Sequence, residues 1–148
     1  MSIKIRAAVV ADMPAVHGLV YELAVYENAP ESVTATVADY RKDFEAGIFQ
    51  VLIAENEEKE VLGMMLYFVA YSTWRGKMVY LDDFVVRENQ RGNGIGQLLW
   101  NALLVESRRL EARLLKWQVL DWNTPALRFY ERAEAIIEKE WWNGKLFL

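Results

Sequence analysis

Gln90-Arg91-Gly92-Asn93-Gly94-Ile95-Gly96 is the stretch on which the reading of the fold turns. It joins an apolar, strand-like segment, Lys77–Val86 (KMVYLDDFVV), to a helix-like segment, Gly94–Leu110. In the latter Ile95, Leu98, Leu99, Leu103 and Leu104 recur at helical spacing and form one apolar stripe. Three glycines in five residues permit positive φ and close backbone approach. Their amides, with the N–H groups that a helix leaves unsatisfied in its first turn, make a concave set of donors suited to a phosphate. The helix dipole adds about 0.3–1 kcal/mol for a negative charge, and Arg91 offers bidentate pairing. A plain glycine-rich connection is the bland alternative. Strand, loop and helix in that order, with an adjacent Arg, favour a pyrophosphate cradle. It is neither common nucleotide loop: G-x-G-x-x-G would need Gly or Ala where Gln97 stands, and no Gly-Lys-Ser/Thr occurs in the chain.

Upstream, Ile3–Ala7 (IKIRA) alternates as a short strand, and Asp12 with Pro14 opens a helix carrying Val16, Leu19, Val20 and Leu23. Thr36 and Asp39 have capping-box spacing before a short helix that ends near Gly47. Phe49–Ala54 (FQVLIA) reads as a strand, Glu55–Glu60 (ENEEKE) as a hairpin turn, and Val61–Tyr71 (VLGMMLYFVAY) as a strand covered on both faces. A turn follows around Trp74–Gly76. Downstream, Leu114–Leu120 is a strand and Pro125–Arg132 a short helix. The tail (IIEKEWWNGKLFL) is expected to be a hairpin closed by Asn143-Gly144. The order implies one α/β (α+β) domain over 1–148, a mixed sheet with helices on both faces.

Composition bounds the function. With 53% hydrophobic residues, 6 Trp, 7 Tyr and 6 Phe, the 148 residues can build one core. No run approaches the ~20 apolar residues of a membrane span, so no membrane partner is expected. The start, MSIKIRAAVV, lacks a signal-peptide core, and 0 Cys excludes a disulfide, a thiol nucleophile and a Cys-based metal site. The expected compartment is cytoplasmic. A net charge of −4 argues against a nucleic-acid surface and mildly favours cationic partners.

The loop resembles the R/Q-x-x-G-x-G/A element of the GNAT acetyltransferase superfamily, which holds the pyrophosphate of acetyl-CoA. A second element agrees: Asn123, Ala126 and Phe129-Tyr130-Glu131 match N-x-x-A-x-x-F-Y-E, although the usual following Gly is replaced in Arg132-Ala133-Glu134-Ala135. Within the superfamily the likeness is to diamine (spermidine/spermine) and thialysine acetyltransferases. It rests on Glu22-Leu23-Ala24 with Tyr26-Glu27, Trp74-x-Gly76-Lys77, Tyr80-Leu81-Asp82-Asp83-Phe84 and Asp121-Trp122-Asn123. That family usually carries Glu-Asp where Asp82-Asp83 stands, so Asp82 is one methylene shorter. The resemblance implies a mostly antiparallel sheet, acetyl-CoA as co-substrate, no metal and a homodimer. It implies coenzyme contacts from the backbone of Phe84, Val85 and Val86, from Arg91, Gly92, Asn93, Gly94, Ile95 and Gly96, and from Asn123 and Tyr130.

The chemistry assigns roles. An amine of pKa near 10.4 is almost fully protonated at neutral pH, so a base must take its proton. Asp82 and Asp83 interrupt an apolar strand where charge is costly, which singles them out; Asp82 is expected as catalytic base. Adjacent strand residues face opposite sides, so one of the two points away from a given cleft unless a bulge intervenes. The resemblance makes Tyr130 the acid for the departing thiolate; by itself a Tyr beside Phe129 is more often core. Asn123 before Thr-Pro is also an ordinary helix cap. Tyr26, Glu27 and Trp74, with both acids, are candidates to grip the amine. His17, the sole His, reads as structural. A peptide or protein amine as substrate, or a non-catalytic acyl-CoA-binding module, remain the alternatives.

Overall fold

The computed structural model describes residues 2–148, in which the chain divides into one compact unit ending at Gln118 and a second over Val119–Leu148. The first unit runs β1 (Lys4–Ala7), α1 (Met13–Tyr26), α2 (Val37–Glu45), β2 (Gln50–Glu55), β3 (Val61–Ser72), β4 (Gly76–Val86), α3 (Ile95–Arg109) and β5 (Leu114–Trp117). Its strands lie in sequence order, antiparallel throughout except for the parallel pair β4–β5. The mixed, mostly antiparallel sheet matches the expected fold class.

Local chemistry sets the elements. Asp12 and Pro14 flank the start of α1 as read. At α2 the capping box is reciprocal: the Asp39 N–H donates to Thr36 Oγ1 at 3.1 Å, and the Thr36 N–H donates to Asp39 Oδ2 at 2.8 Å. Arg6 in β1 reaches Asp12 at 2.8 Å and the buried Glu55 at 3.0 Å, joining β1, the entry to α1 and the end of β2.

One face of the sheet packs Val51, Ile53, Met64, Leu66 and Val85 against Met13, Val16 and Leu19 of α1. On the other face Met65 and Tyr67 of β3 are also buried, with Val79 and Leu81 of β4, which a register shift at Asp82 turns to that side, as are Ile95, Leu99 and Leu103 along the stripe of α3. Two glycines have a steric reason. Gly94 ends the loop at φ 77, and a Cβ on Gly63 would lie 2.9 Å from the Val85 carbonyl oxygen.

Three expectations need correction. β3 is covered on both faces only along its first half, since Val69 and Tyr71 are exposed. The fifth strand ends at Trp117 and not at Leu120. In the second unit α4 (Thr124–Arg132) forms, but no strand follows among the described residues, so the tail hairpin is absent. An isolated two-stranded hairpin is marginal without a sheet to extend. Trp141, Trp142 and Phe147 are exposed accordingly.

Candidate active site

The register of β3 against β4 decides where the two acids point. Leu66 pairs with Asp83, but the next residue, Tyr67, pairs with Leu81, so Asp82 has no partner on β3. This is a β-bulge, two residues opposing one, and it suspends strict alternation. Asp83 lies opposite Leu66 and therefore on the face that α1 covers. Asp82, turned by the bulge, brings its carboxyl within hydrogen-bonding reach of the Asp83 carboxyl. Glu27, the C-cap just after α1, adds a third acid whose charge acts on Asp83.

Among the described residues no Lys or Arg forms an ion pair with these three carboxylates. Their protons are held accordingly. Burial, then the charges of Asp82 and Glu27, push Asp83 up to about 7. Asp82, the most open of the three, is also raised by lost hydration, an effect opposed by its hydrogen bond with Asp83. Burial and the charge of Asp82 raise Glu27. Like charges brought together out of water cannot all ionise cheaply, and Asp83 is the one that keeps its proton up to about neutral pH.

Two phenols border the acids. Tyr40 of α2 is pushed up to about 12 by burial and then by the charges of Asp83 and Asp82. Burial and the Asp82 charge raise Tyr80 of β4 as well. From the sequence Tyr80 was quoted with Asp82-Asp83 but given no role, and Tyr40 was not singled out. Tyr80 stands two residues before Asp82 and was within reach of a pattern argument, whereas Tyr40 has no local signal and arrives through the packing of α2.

The loop has the shape its glycines require. Arg91 is extended, Gly92 has φ 82, and Gly94 at φ 77 is the N-cap of the 15-residue α3. Asn93, Ile95 and Gly96 lie between and just beyond these glycines, where the N–H groups of a first helical turn have no intrahelical acceptor. The Arg91 guanidinium sits over the Tyr26 ring at 5.2 Å, and its Nε–H donates to the Val86 carbonyl at 3.4 Å. α1 is tied to the end of β4 a second time: Arg87 pairs with Glu22 at 3.2 Å and donates to the Val61 carbonyl at 2.7 Å. Tyr26 thus serves the loop, next to Glu27 at the acids.

Pairing between β4 and β5 is confined to Met78–Leu81 with Leu114–Trp117. From Asp82 on, including Phe84, Val85 and Val86, β3 is the strand neighbour of β4. The β4–β5 ladder therefore stops just before the bulge. Together, glycines at positive φ, a helix N-terminus and an Arg fit a pyrophosphate.

Trp74 is placed elsewhere. It caps the β3–β4 turn at 83% exposure, and the strand from Gly76 to Asp82 spans roughly 20 Å at about 3.3 Å per residue. Within one chain it does not reach the acids. In the second unit Asn123 caps α4, its Oδ1 accepting from the Ala126 N–H at 3.3 Å, and Tyr130 is buried. Burial pushes the Tyr130 phenol up to about 12, so it is fully protonated at neutral pH. His17 meets the Ala35 carbonyl at 2.8 Å and the edge of Tyr40 at 5.0 Å, in keeping with a structural role.

Comparison with known proteins gives the family. The chain is 35% identical over 118 residues to the thialysine N-epsilon-acetyltransferase of Caenorhabditis elegans, covering 80% of this chain and 73% of that protein. It is 29% identical over 141 residues to the human spermidine/spermine N(1)-acetyltransferase-like protein 1, covering 90% of this chain but 20% of that longer protein. Among solved structures, the tetramutant of the BH1408 protein of Bacillus halodurans superposes with a TM-score of 0.79 at 24% identity, covering 97% of this chain and 99% of that one, a likeness of fold. The family model described as the acetyltransferase (GNAT) family matches residues 17–134, and the chain belongs to that family.

Proposed function

We propose that the protein moves the acetyl group of acetyl-CoA directly to a primary amine of a small cationic substrate, a diamine, polyamine or thialysine-like compound. The observation that carries this reading is the convergence of Glu27, Asp82 and Asp83, with no Lys or Arg paired to them among the described residues, beside the glycine loop at the start of α3. Acetyl-CoA supplies the activated acyl group. Arg91 and the amides of Gly92–Gly96 hold its pyrophosphate, the backbone of Phe84–Val86 its pantetheine arm, and Asn123 assists.

The acids attract the ammonium and accept its proton, Asp82 as the more open group and Asp83 as the group poised near neutrality. Tyr130 provides the hydrogen bond to the departing thiolate. At about 12 its phenol is a weaker acid than a thiol near 8.5, so it stabilises the sulfur as a donor and does not surrender its proton outright. Exposure of Trp141, Trp142 and Phe147 supports a homodimer, and the cytoplasm is the proposed compartment.

The test is acetyl-CoA turnover over a panel of polyamines, lysine analogues and peptides, with Tyr130→Phe alongside. Diamines and thialysine should lead, and Tyr130→Phe should lower kcat by roughly 10²-fold, at the low end of general acid–base effects, with coenzyme affinity unchanged. Peptides outcompeting every diamine would overturn the substrate assignment. Coenzyme binding without turnover of any amine would overturn the enzyme assignment.

A further inference from the structure

Phe68 and Tyr80 are direct partners in the β3–β4 register, and their rings stack at 5.3 Å with 27° between planes. Phe68 is two residues beyond Leu66 and packs against the core beneath α1, which fixes its place and assigns the pair to the face that carries Asp83. Tyr80 is half-buried, lies outside that core and rests on Phe68. Along β4 it precedes Asp82 by two residues, about 6.6 Å of extended strand. A flat apolar platform therefore begins one short methylene chain away from the acids.

Its other border is cationic. In the parallel register Tyr80 pairs with Lys116 of β5, which is exposed. An ammonium seated over Tyr80 would meet that charge, whereas an uncharged spacer would not. The acids at one border hold a positive group, and the stretch over the rings suits methylenes.

We propose that the stacked pair Phe68–Tyr80 determines specificity by spacer length, bearing the methylene chain of an amine held at Glu27, Asp82 and Asp83. This rests on the amine-acetyltransferase reading above. Tyr80 touches the spacer and not the reacting atoms, so its removal changes selectivity within a homologous series more than the chemistry of any one substrate. Each methylene laid on the platform raises kcat/KM by up to about fourfold, until the chain overruns the rings.

The experiment measures kcat/KM with acetyl-CoA for α,ω-diamines from ethylenediamine to hexamethylenediamine, in the parent, Tyr80→Phe, Tyr80→Leu and Tyr80→Ala. Expected are a rise per methylene in the parent, the same slope in Tyr80→Phe, a shallower one in Tyr80→Leu and a nearly flat one in Tyr80→Ala. Thermal melts identify a variant that has lost its fold, and Tyr80→Leu keeps an apolar strand residue if Tyr80→Ala does not fold. A parent slope retained in Tyr80→Leu and Tyr80→Ala, or absent from the parent, overturns the platform while leaving amine acetylation intact. No turnover of any diamine by the parent instead removes the reading on which the platform rests.

Discussion

The glycine loop and the carboxylate bulge flank one end of β4, yet they are built on different principles. The loop works through backbone: Gly92 and Gly94 take φ of 82 and 77, and α3 presents its first N–H groups whatever side chains follow. The bulge works through side chains from separate elements, Glu27 at the end of α1 with Asp82 and Asp83 in β4, bordered by Tyr40 from α2. A backbone device is local and rigid. A cluster of like charges is assembled by packing and has protons to exchange. Substitutions should therefore cost the loop affinity and the cluster turnover and pH response.

The largest effect is expected at the cluster. Asp83→Asn should lower kcat/KM at pH 7 by roughly 10²–10⁴-fold, the range of general acid–base catalysis. The loss should shrink as pH approaches the amine pKa near 10.4, where the nucleophile is already neutral. A pH-independent loss would mean that Asp83 positions the amine and handles no proton. The same variant tests the charge cost. Because the folded pKa, about 7, lies above the ordinary 3.8, the folded state binds more protons between those values. Stability from this group is therefore lost as pH rises from about 4 to about 7 and is level above that. Asp83→Asn should raise the melting temperature relative to the parent by a few degrees more at pH 8 than at pH 5, at about 2–4 °C per kcal/mol for a chain of this size. Equal shifts at both pH values would show that Asp83 is ordinarily hydrated.

The loop should respond differently. Gly94→Val forces a β-branched residue into the left-handed region, at roughly 1–3 kcal/mol of strain. No atom stands within 4 Å of the added Cβ, so backbone strain and not a clash is the cost. Acetyl-CoA should bind about 10-fold or more weakly by titration calorimetry, with the KM for amine nearly unchanged. Unaltered coenzyme affinity would show that the loop tolerates another backbone and does not hold the phosphates through its amides.

This contrast also explains what could be read from the sequence. Arg91–Gly96 was legible because glycines and a helix start are contiguous, and Thr36–Asp39 because a capping box is complete within four residues. The bulge was legible only as a condition: two adjacent acids after Leu81 break the alternation, but only the partner register shows that Asp82 has no opposite. Glu27 was noticed beside Tyr26, but its meeting with Asp83, 56 positions on, depends on how α1 lies across the sheet. Trp74 shows another limit, because an aromatic next to Gly-Lys says nothing of strand length and so nothing of its distance from the acids. The tail misled through composition: Asn143-Gly144 between apolar residues is a strong hairpin signal, but a hairpin needs a sheet to join.

The smallest effect lies where the two regions touch in sequence. Tyr26 and Glu27 are adjacent, yet the Tyr26 ring carries the Arg91 guanidinium at 5.2 Å while Glu27 joins the acids. A cation–π contact at such a site contributes about 0.5–1 kcal/mol, and here it holds Arg91, the proposed pyrophosphate partner, against the loop. Tyr26→Leu keeps an apolar residue at the end of α1 and removes the flat ring. Acetyl-CoA affinity should fall by about two- to fivefold, the same energy expressed as a binding constant. The salt dependence of that affinity should barely change, because the charge on Arg91 is retained. Tighter coenzyme binding would mean that the ring sequesters the guanidinium and competes with the phosphates. A rise in the KM for diamine with coenzyme affinity unchanged would return Tyr26 to the amine wall, and the division between backbone-built and side-chain-built regions would then run through Tyr26 itself.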